Sequence, residues 1–353
     1  MRDHQVTDRR NFFTTAAGAT ALGAAGSVGC RQPTVSHEDK PGSGMRLDFV
    51  AHGSNADAFW GAQHNGFMDF CTAYGIQGRF LGTRLDGDIG EMLANLDSVL
   101  SGPGDGLTLP ISNANTFTEP IQRAIDKGLA VVAVNIPDFR PQEERLPYIR
   151  YVGGEPIATG EENARMTVKA FTQLAGRAPK RAVYLNHVPG VEVLDYRGQG
   201  MQTVFDAAGT QFDTLVIHSD PASAQDTIRA YVRKHPDLET IQTGNSRPAA
   251  WAIQALREME QLGKHTEPFL AGRIYVGSID IDPELLELIA AGECLGTIDE
   301  QPYMQGWYAA QLLYHWIKYK FIPGRDISTG PLVVQEKTLV ESLIEQARQG
   351  IRA

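Results

Sequence analysis

The sequence predicts an α/β fold made of two open lobes, each built on a parallel sheet. From Arg46 onward, short β-type runs alternate with amphipathic stretches of helical length, the pattern of repeated βαβ units. The runs fall into two sets, divided by a Pro-bearing loop from Pro137 to Pro147. The chain has 353 residues, and the body beyond the first 44 is roughly 300, enough for two ordinary domains.

The first set of expected strands is Arg46–Ala51, Gln77–Leu81, Gly106–Leu109 and Ala130–Asn135. The second is Arg181–Leu185, Thr214–His218, Thr240–Thr243, Ile274–Val276 and Gly296–Ile298. Helical periodicity fills the gaps over Glu91–Leu100, Glu119–Lys127, Glu161–Leu174 and Ala249–Gln261. Lys127-Gly128 before Leu129-Ala130-Val131-Val132 reads as a helix end, a glycine cap and a buried strand. Tyr151-Val152-Gly153-Gly154 is expected to carry the chain from one lobe to the other.

The N-terminus reads as an export signal over 1–29. Arg9-Arg10 precede a Gly/Ala-rich apolar stretch from Thr14 to Val28, too short and too small-sided for a membrane span. The paired arginines resemble the twin-arginine type, which marks chains exported already folded. Ser27-Val28-Gly29-Cys30 resembles a lipobox, which makes Cys30 the expected site of lipidation and 30–44, with Pro33, Pro41, Gly42 and Gly44, a flexible tether from that anchor. Ordinary cleavage nearby, giving a free protein, is the alternative.

The net charge is −10, and residues 1–29 hold three arginines against two aspartates, so the remainder is near −11. An acidic chain without a Lys/Arg block argues against nucleic acid and against electrostatic docking on anionic lipid, leaving the anchor as the only expected membrane contact. Beyond Cys30 only Cys71 and Cys294 remain, far apart and in no CxxC or Cys/His ligand spacing.

In open, Rossmann-like sheets ligands bind beyond the carboxyl ends of the strands. Those positions are polar or aromatic here. His52-Gly53-Ser54-Asn55, then Phe59-Trp60, follow the first strand, and Ser112-Asn113 follow the third. Asn135 ends the fourth, Asn186-His187 end the first strand of the second set, and Asp195-Tyr196-Arg197 come soon after. Gly244-Asn245-Ser246-Arg247, Ser278-Ile279-Asp280 and Asp299-Glu300-Gln301 complete the series. Aromatic faces with amides, carboxylates and a guanidinium suit a hydroxyl-rich ring, whose apolar faces stack and whose hydroxyls need partners once water is removed.

The order and spacing of several segments carry a resemblance. They are Ala58-Phe59-Trp60, Asp105-Gly106, Ala124-Ile125-Asp126-Lys127-Gly128 leading into Val131–Asn135, and Tyr151-Val152-Gly153. Arg197-Gly198-Gln199-Gly200-Met201, Gly277 to Pro283, and above all Thr297-Ile298-Asp299-Glu300-Gln301-Pro302-Tyr303-Met304-Gln305-Gly306 extend it. Over about residues 46–335 the chain resembles the type I periplasmic solute-binding proteins of sugar ABC importers, the ribose- and galactose-binding group. The resemblance implies two lobes joined by a hinge that the chain crosses three times. Their expected bounds are 45–153 plus 301–326 for the N-terminal lobe and 154–300 plus 327–353 for the C-terminal lobe. It implies closure of the lobes on a sugar or polyol and delivery of that ligand by a monomeric protein to a membrane permease. Carried over by position, Phe59 and Trp60 stack on the ring, Asn113 and Asn135 contribute from the first lobe, and Arg197, Asn245 and Asp280 from the second. Glu300 sits at the hinge. Asn135-Ile136 replaces the Asp-Arg pair of many relatives, and Glu300 their usual Gln, which points to a different polyol, or a deoxy, amino or otherwise modified sugar.

Each residue also has a structural reading. Phe59 and Trp60 make a plausible packing pair at a helix start, Arg197 a salt bridge with nearby Asp195, and Asn245 a helix cap with Ser246 as its rival. Asp280 and Asp282 flank Pro283 at another helix start, where a carboxylate favours the dipole. Tyr303, Met304, Trp307, Tyr308, Leu312 and Trp316 recur at helical spacing and read as core. His52, His64, His187 and His218 have no partner at metal-ligand spacing and read as scattered polar or core histidines, so no metal is expected. Phosphate loops, GxSxG and any assembled nucleophile and base are missing, so neither a cofactor nor an enzyme is expected. Two other readings stand beside transport: a sensor of the same fold signalling to a receptor or kinase, and a periplasmic enzyme on the scaffold.

Overall fold

The computed structural model describes residues 40–352. The expected signal at 1–29, Cys30 and the tether as far as residue 39 lie outside the described residues.

The first sheet is laid down by β1 (Arg46–Val50), α1 (Ala58–Tyr74), β2 (Gln77–Leu81), α2 (Ile89–Ser101), β3 (Gly106–Leu109), α3 (Ala114–Asp126), β4 (Ala130–Val134) and β5 (Tyr151–Gly153). The chain then crosses into α4 (Pro156–Ala175), β6 (Arg181–Asn186), α5 (Glu192–Ala207), β7 (Gln211–Val216), α6 (Pro221–Lys234) and β8 (Thr240–Thr243). α7 (Ser246–Glu258), β9 (Tyr275–Ile279), α8 (Pro283–Ala290) and β10 (Thr297–Asp299) complete that run. It returns as α9 (Pro302–Tyr319) and β11 (Ile327–Ser328), then crosses again to β12 (Leu332–Val334) and α10 (Lys337–Arg348).

The two sheets have the same plan. Their strand orders are β11-β5-β4-β3-β1-β2 and β12-β10-β9-β8-β6-β7, parallel throughout except for the antiparallel β10–β12 pair. Ile327–Ser328 pairs with Val152–Gly153, so these two residues, expected in the C-terminal lobe, belong to the first sheet. The reason is local: two ladder positions beside β5 satisfy backbone groups before the chain turns away.

Central strands are buried on both faces, as helices on each side require; Ala130–Val134 is buried at every position. Outer strands are different. Gln211–Val216 has only exposed and half-buried positions, and its polar first half explains why it begins three residues before the expected Thr214. Several helices also start earlier than their periodicity suggests. Asn113 caps α3, which carries Pro120 inside it, and Asn245 caps α7; α4 starts at Pro156, with Gly160 in its second turn weakening the apolar pattern.

One device is used in each lobe to bring helices together. In the first, α1 and α9 meet at Gly66 and Gly306, where an added Cβ would strike the backbone of Tyr303 and Gln63. In the second, α4 and α5 meet at Gly160 and Gly200 against the backbone of Arg197 and Ile157. The second contact fixes the stretch of α5 that carries Arg197.

Candidate functional site

The carboxyl ends of both sets of strands converge on a partly open cavity. From the first lobe it is lined by His52 after β1, Phe59 and Trp60 in the first turn of α1, Asp86, and Asn135 after β4. From the second come His187 after β6, Arg197 in α5, Asn245 at the cap of α7, and Asp280 after β9. Val188, Val191, Val193 and Leu194 add an aliphatic stretch from that same lobe.

Local chain geometry aims these groups. Asp57 caps α1 by accepting from the N–H groups of Phe59 and Trp60 at 3.0 and 3.3 Å, which fixes the turn that presents both rings. Asn135 and Asp280 hold φ of 61° and 64°, the left-handed region that non-glycine residues rarely occupy. Such strain is tolerated where the surroundings impose it and clusters at ligand sites. Here Tyr151 Oη donates to the Asn135 carbonyl at 2.7 Å, and Thr297 Oγ1 donates to the Asp280 carbonyl at 2.6 Å.

Arg197 is the electrostatic centre. One terminal nitrogen donates to Glu300 Oε2 at 2.6 Å, and the other donates to the Gly244 carbonyl at 2.6 Å and lies 3.7 Å from Asp280 Oδ2. Burial works against its charge, but Glu300 and Asp280 outweigh burial and hold the guanidinium protonated. Burial, opposed by Arg197 and reinforced by Glu300, pushes the Asp280 carboxyl up to about 7. Burial likewise lowers His187 to about 4, and it lowers His52, whose Nδ1 shares a 2.6 Å hydrogen bond with Ser112 Oγ.

Four cavity-lining residues each retain a buried polar atom without a protein partner: Asn135 Oδ1, His187 Nδ1, Arg197 Nε and Asp280 Oδ1. Buried polar atoms are almost always paired, because an unmade hydrogen bond costs about 1–3 kcal/mol. Four together, drawn from both lobes, form a surface that a polar ligand would satisfy.

The lobes also touch directly around this space. Arg247 of α7 bonds Asp86 at 2.7 Å and lies 3.4 Å from Asp57, both in the first lobe. The rings of Phe139 and Tyr196 sit 4.1 Å apart, and Ile136 packs with Val191, Val193 and Leu194.

Of the residues singled out from sequence, Phe59, Trp60, Asn135, Arg197, Asn245 and Asp280 line the cavity, while Asn113 and Glu300 do not. Asn113 caps α3 by accepting from Thr116 N–H at 3.0 Å. Glu300 is turned into the hinge, where it holds Arg197 and accepts from Thr159 Oγ1 at 2.6 Å, so it acts on the cavity only through Arg197. Arg197 pairs with Glu300 and Asp280 rather than with Asp195, which accepts from Asn186 instead. Phe59 and Trp60 are both wall and core: they belong to the first-lobe cluster, with Trp60 lying against Gly53. Sequence reasoning placed His52 and His187 at strand ends but read them as scattered, missing their equivalence. Register reveals it: Arg46 pairs with Gln77 as Arg181 pairs with Gln211, which places His52 and His187 at matching positions beyond β1 and β6.

Comparison with known proteins agrees with this geometry. Residues 47–320 match the family model described as a periplasmic binding protein domain. The chain is 24% identical over 311 residues to the xylose/arabinose-binding protein XylF of Sulfolobus acidocaldarius, covering 86% of this chain and 74% of that one. It superposes on a carbohydrate transporter structure from Acidothermus cellulolyticus 11B, in complex with myo-inositol, with a TM-score of 0.74 and 21% identity, covering 87% of this chain and 99% of that one. A solute-binding protein from Agrobacterium vitis bound to α-D-tagatopyranose gives a TM-score of 0.74 at 20% identity, covering 88% and 99%. With a family match over most of its length and the two-lobed fold of these structures, the chain belongs to the periplasmic binding proteins, in their type I form.

Proposed function

We propose that this protein captures a sugar or polyol between its lobes, outside the cytoplasm, and presents the closed form to an ABC permease. The observation that carries the reading is the set of unpartnered polar atoms on Asn135, His187, Arg197 and Asp280, gathered beside the rings of Phe59 and Trp60. A ring with hydroxyls along its edge and C–H groups on its faces answers both features. The similarity to sugar-binding importer proteins supports the same reading. Binding is the role we assign to these residues, because their free donors and acceptors suit the hydroxyls of such a ligand.

Closure follows from ligand contact with both lobes: a ligand that bridges them stabilises the closed state by its differential affinity. The moving bodies we take as 45–153 with 301–328, and 154–300 with 329–352. Export by the twin-arginine signal and lipidation at Cys30 would hold a monomer at the membrane beside its permease. That part rests on Arg9-Arg10 and Ser27–Cys30 alone. Among the described residues no helix is long and apolar enough to cross a membrane.

The test is a thermal-shift screen of the purified protein against neutral sugars, polyols, inositols, amino sugars, sugar acids, nucleosides and metal ions, after unfolding and refolding to remove carried ligand. A dose-dependent rise with sugars or polyols supports the reading. A rise only with nucleosides or metals overturns it. Intact mass of the envelope-extracted protein checks the anchor: acyl mass on Cys30 supports it, and an unmodified chain contradicts it.

A further inference from the structure

The surface of the first lobe carries one concentrated apolar patch. Among the described residues nine large hydrophobic side chains are exposed, and three of them, Tyr319, Phe321 and Ile322, fall within four positions at the end of α9. Their exposures are 47, 66 and 41%, and the Tyr319 and Phe321 rings stack with centroids 5.5 Å apart. The other six are scattered singly along the chain. Lone exposed apolar residues are ordinary, whereas a run with two aromatic rings marks an interaction surface.

Lysines frame this patch. Lys318 Nζ lies 5.5 Å from the ring centres of Tyr314 and Tyr319, and Lys320 Nζ lies 5.3 Å from that of Trp316. From Lys318 to Asp326 the chain holds two lysines and Arg325 against Asp326, a local charge of +2 on a chain of −10. Aromatic rings beside lysines, whose stems cover apolar surface while their heads stay in water, are the composition of a membrane–water interface. The acidity of the whole chain argues against lipid contact, but at this patch the sign reverses.

The position of the patch selects a bilayer over a soluble partner. Lys318 Nζ also donates to the Pro41 carbonyl at 2.5 Å, and Gly42 N–H donates to the Tyr74 carbonyl at 2.8 Å. The chain leading back to Cys30 therefore starts against the ends of α9 and α1. Residues 30–39 span at most about 35 Å, so a lipid on Cys30 keeps the patch within about that distance of the bilayer. Tethering over so short a reach raises the effective concentration to the millimolar range, where even a weak contact contributes. An added Cβ on Gly106, the first residue of β3, would meet Leu313 and Ile317 of α9. The end of α9 thus lies at the amino ends of the strands, opposite the cavity.

We propose that Tyr319, Phe321 and Ile322, with Lys318 and Lys320, form an interfacial contact that seats the first lobe on the phospholipid surface. The tether brings the lobe to the bilayer, and the patch orients it with the cavity end clear for ligand. The inference goes beyond ligand capture and takes only the anchor at Cys30 from the proposed function.

The test links the protein through Cys30 to vesicles of phosphatidylethanolamine and phosphatidylglycerol, as the acylated form from the envelope. If the native chain is unmodified, a maleimide lipid makes the same link, because Cys71 and Cys294 are buried. Phe321→Trp and Leu85→Trp then report lipid contact through quenching by phospholipids brominated in the upper acyl chain, after subtraction of the parent signal. Leu85 is the control, 70% exposed and next to the cavity-lining Asp86 at the other end of the same lobe. Quenching should be several-fold greater at 321 than at 85, and it should fall to the control level when Lys320→Glu and Ile322→Ser are added.

Equal quenching at the two positions overturns the inference. So does a signal at 321 that changes with protein concentration and not with brominated lipid, which would give the patch to a second copy of the chain. The readout needs no sugar, so failure here leaves ligand capture intact, and a chain that binds no sugar still reports on the patch. An unmodified native Cys30 overturns the anchor alone, while quenching at 321 through the maleimide link still supports the contact.

Discussion

The two lobes share a plan but not a chemistry. Each has its first five strands in matching order, a glycine-mediated helix pair, and a residue forced to positive φ after its fourth strand, Asn135 in one and Asp280 in the other. At matching positions beyond the first strand stand His52 and His187. Around this frame the first lobe supplies aromatic rings, the Asn135 amide and Asp86, which Arg247 holds, while the second supplies Arg197, Asp280, the Asn245 amide and an aliphatic stretch. The difference teaches that scaffold and recognition are separable. Under the proposed function the second lobe would hold most of the polar edge of the ligand, and the first would cover its face.

That comparison breaks most visibly at Arg197. Arg197→Ala leaves Glu300 and Asp280 buried without their cation, so denaturant melts should show a loss of about 3–5 kcal/mol together with loss of ligand binding. Stability within error of wild type would mean that the hinge does not depend on this pair.

Next in size is Asp280→Asn, which keeps the shape and removes the acceptor character of one oxygen. Ligand affinity should fall by about 1–3 kcal/mol in calorimetry. The variant also carries a pH signature. Burial raises the folded-state Asp280 carboxyl to about 7, so the folded state holds its proton more tightly than the unfolded chain does. Its contribution to stability is full below the unfolded value of about 4 and is lost as pH rises through about 7. The buried His187, lowered to about 4, acts in the opposite sense: its contribution is present above about 6.5 and lost as pH falls through 4. Ligand-free melts from pH 5 to pH 8 should therefore show a smaller decline, or a larger rise, for Asp280→Asn than for wild type. Parallel curves would contradict the assignment.

A matched pair of helix caps sharpens the contrast. Asn113→Ala and Asn245→Ala each remove a cap and should each cost about 1 kcal/mol of stability. Only Asn245→Ala should also weaken ligand binding, because Asn245 lines the cavity and donates to Asp280 Oδ2 at 3.3 Å. Equal loss of affinity from both would erase the distinction between the lobes.

The smallest effect belongs to the inter-lobe ion pair. Arg247 is part-exposed, so Arg247→Ala should weaken ligand binding by at most about 1 kcal/mol, and the difference from wild type should shrink in high salt. A salt-independent loss would assign Arg247 a direct ligand contact instead.

Much of the fold was legible because burial writes itself into composition. A strand such as Ala130–Val134, covered on both faces, has nowhere to place a polar residue, and the helices between strands carry one apolar stripe. Legibility failed where that pressure is absent. The outer strand from Gln211 is half exposed, and Ile327–Ser328 and Leu332–Val334 are too short to show a period. The site was legible at strand ends but not in its division of labour. Asn113 and Asn245 both follow a strand and cap a helix, yet the longer Pro110–Ser112 connection is associated with an Asn113 that stays off the cavity. Glu300 reads as a ligand group from its position, but its partner Arg197 lies far away in sequence and is brought to it only by the fold. The histidines looked scattered because their equivalence exists in sheet register, not in spacing.

The central claim is that a polyhydroxylated ligand binds between the lobes in contact with Arg197 and Asp280. Calorimetric titration of wild type and Asp280→Asn with the same sugar, at the same pH and salt, tests it most directly. The account predicts one sugar per chain for wild type and at least about ten-fold weaker binding for the folded variant. Equal affinity in the two proteins would contradict it and place the ligand elsewhere.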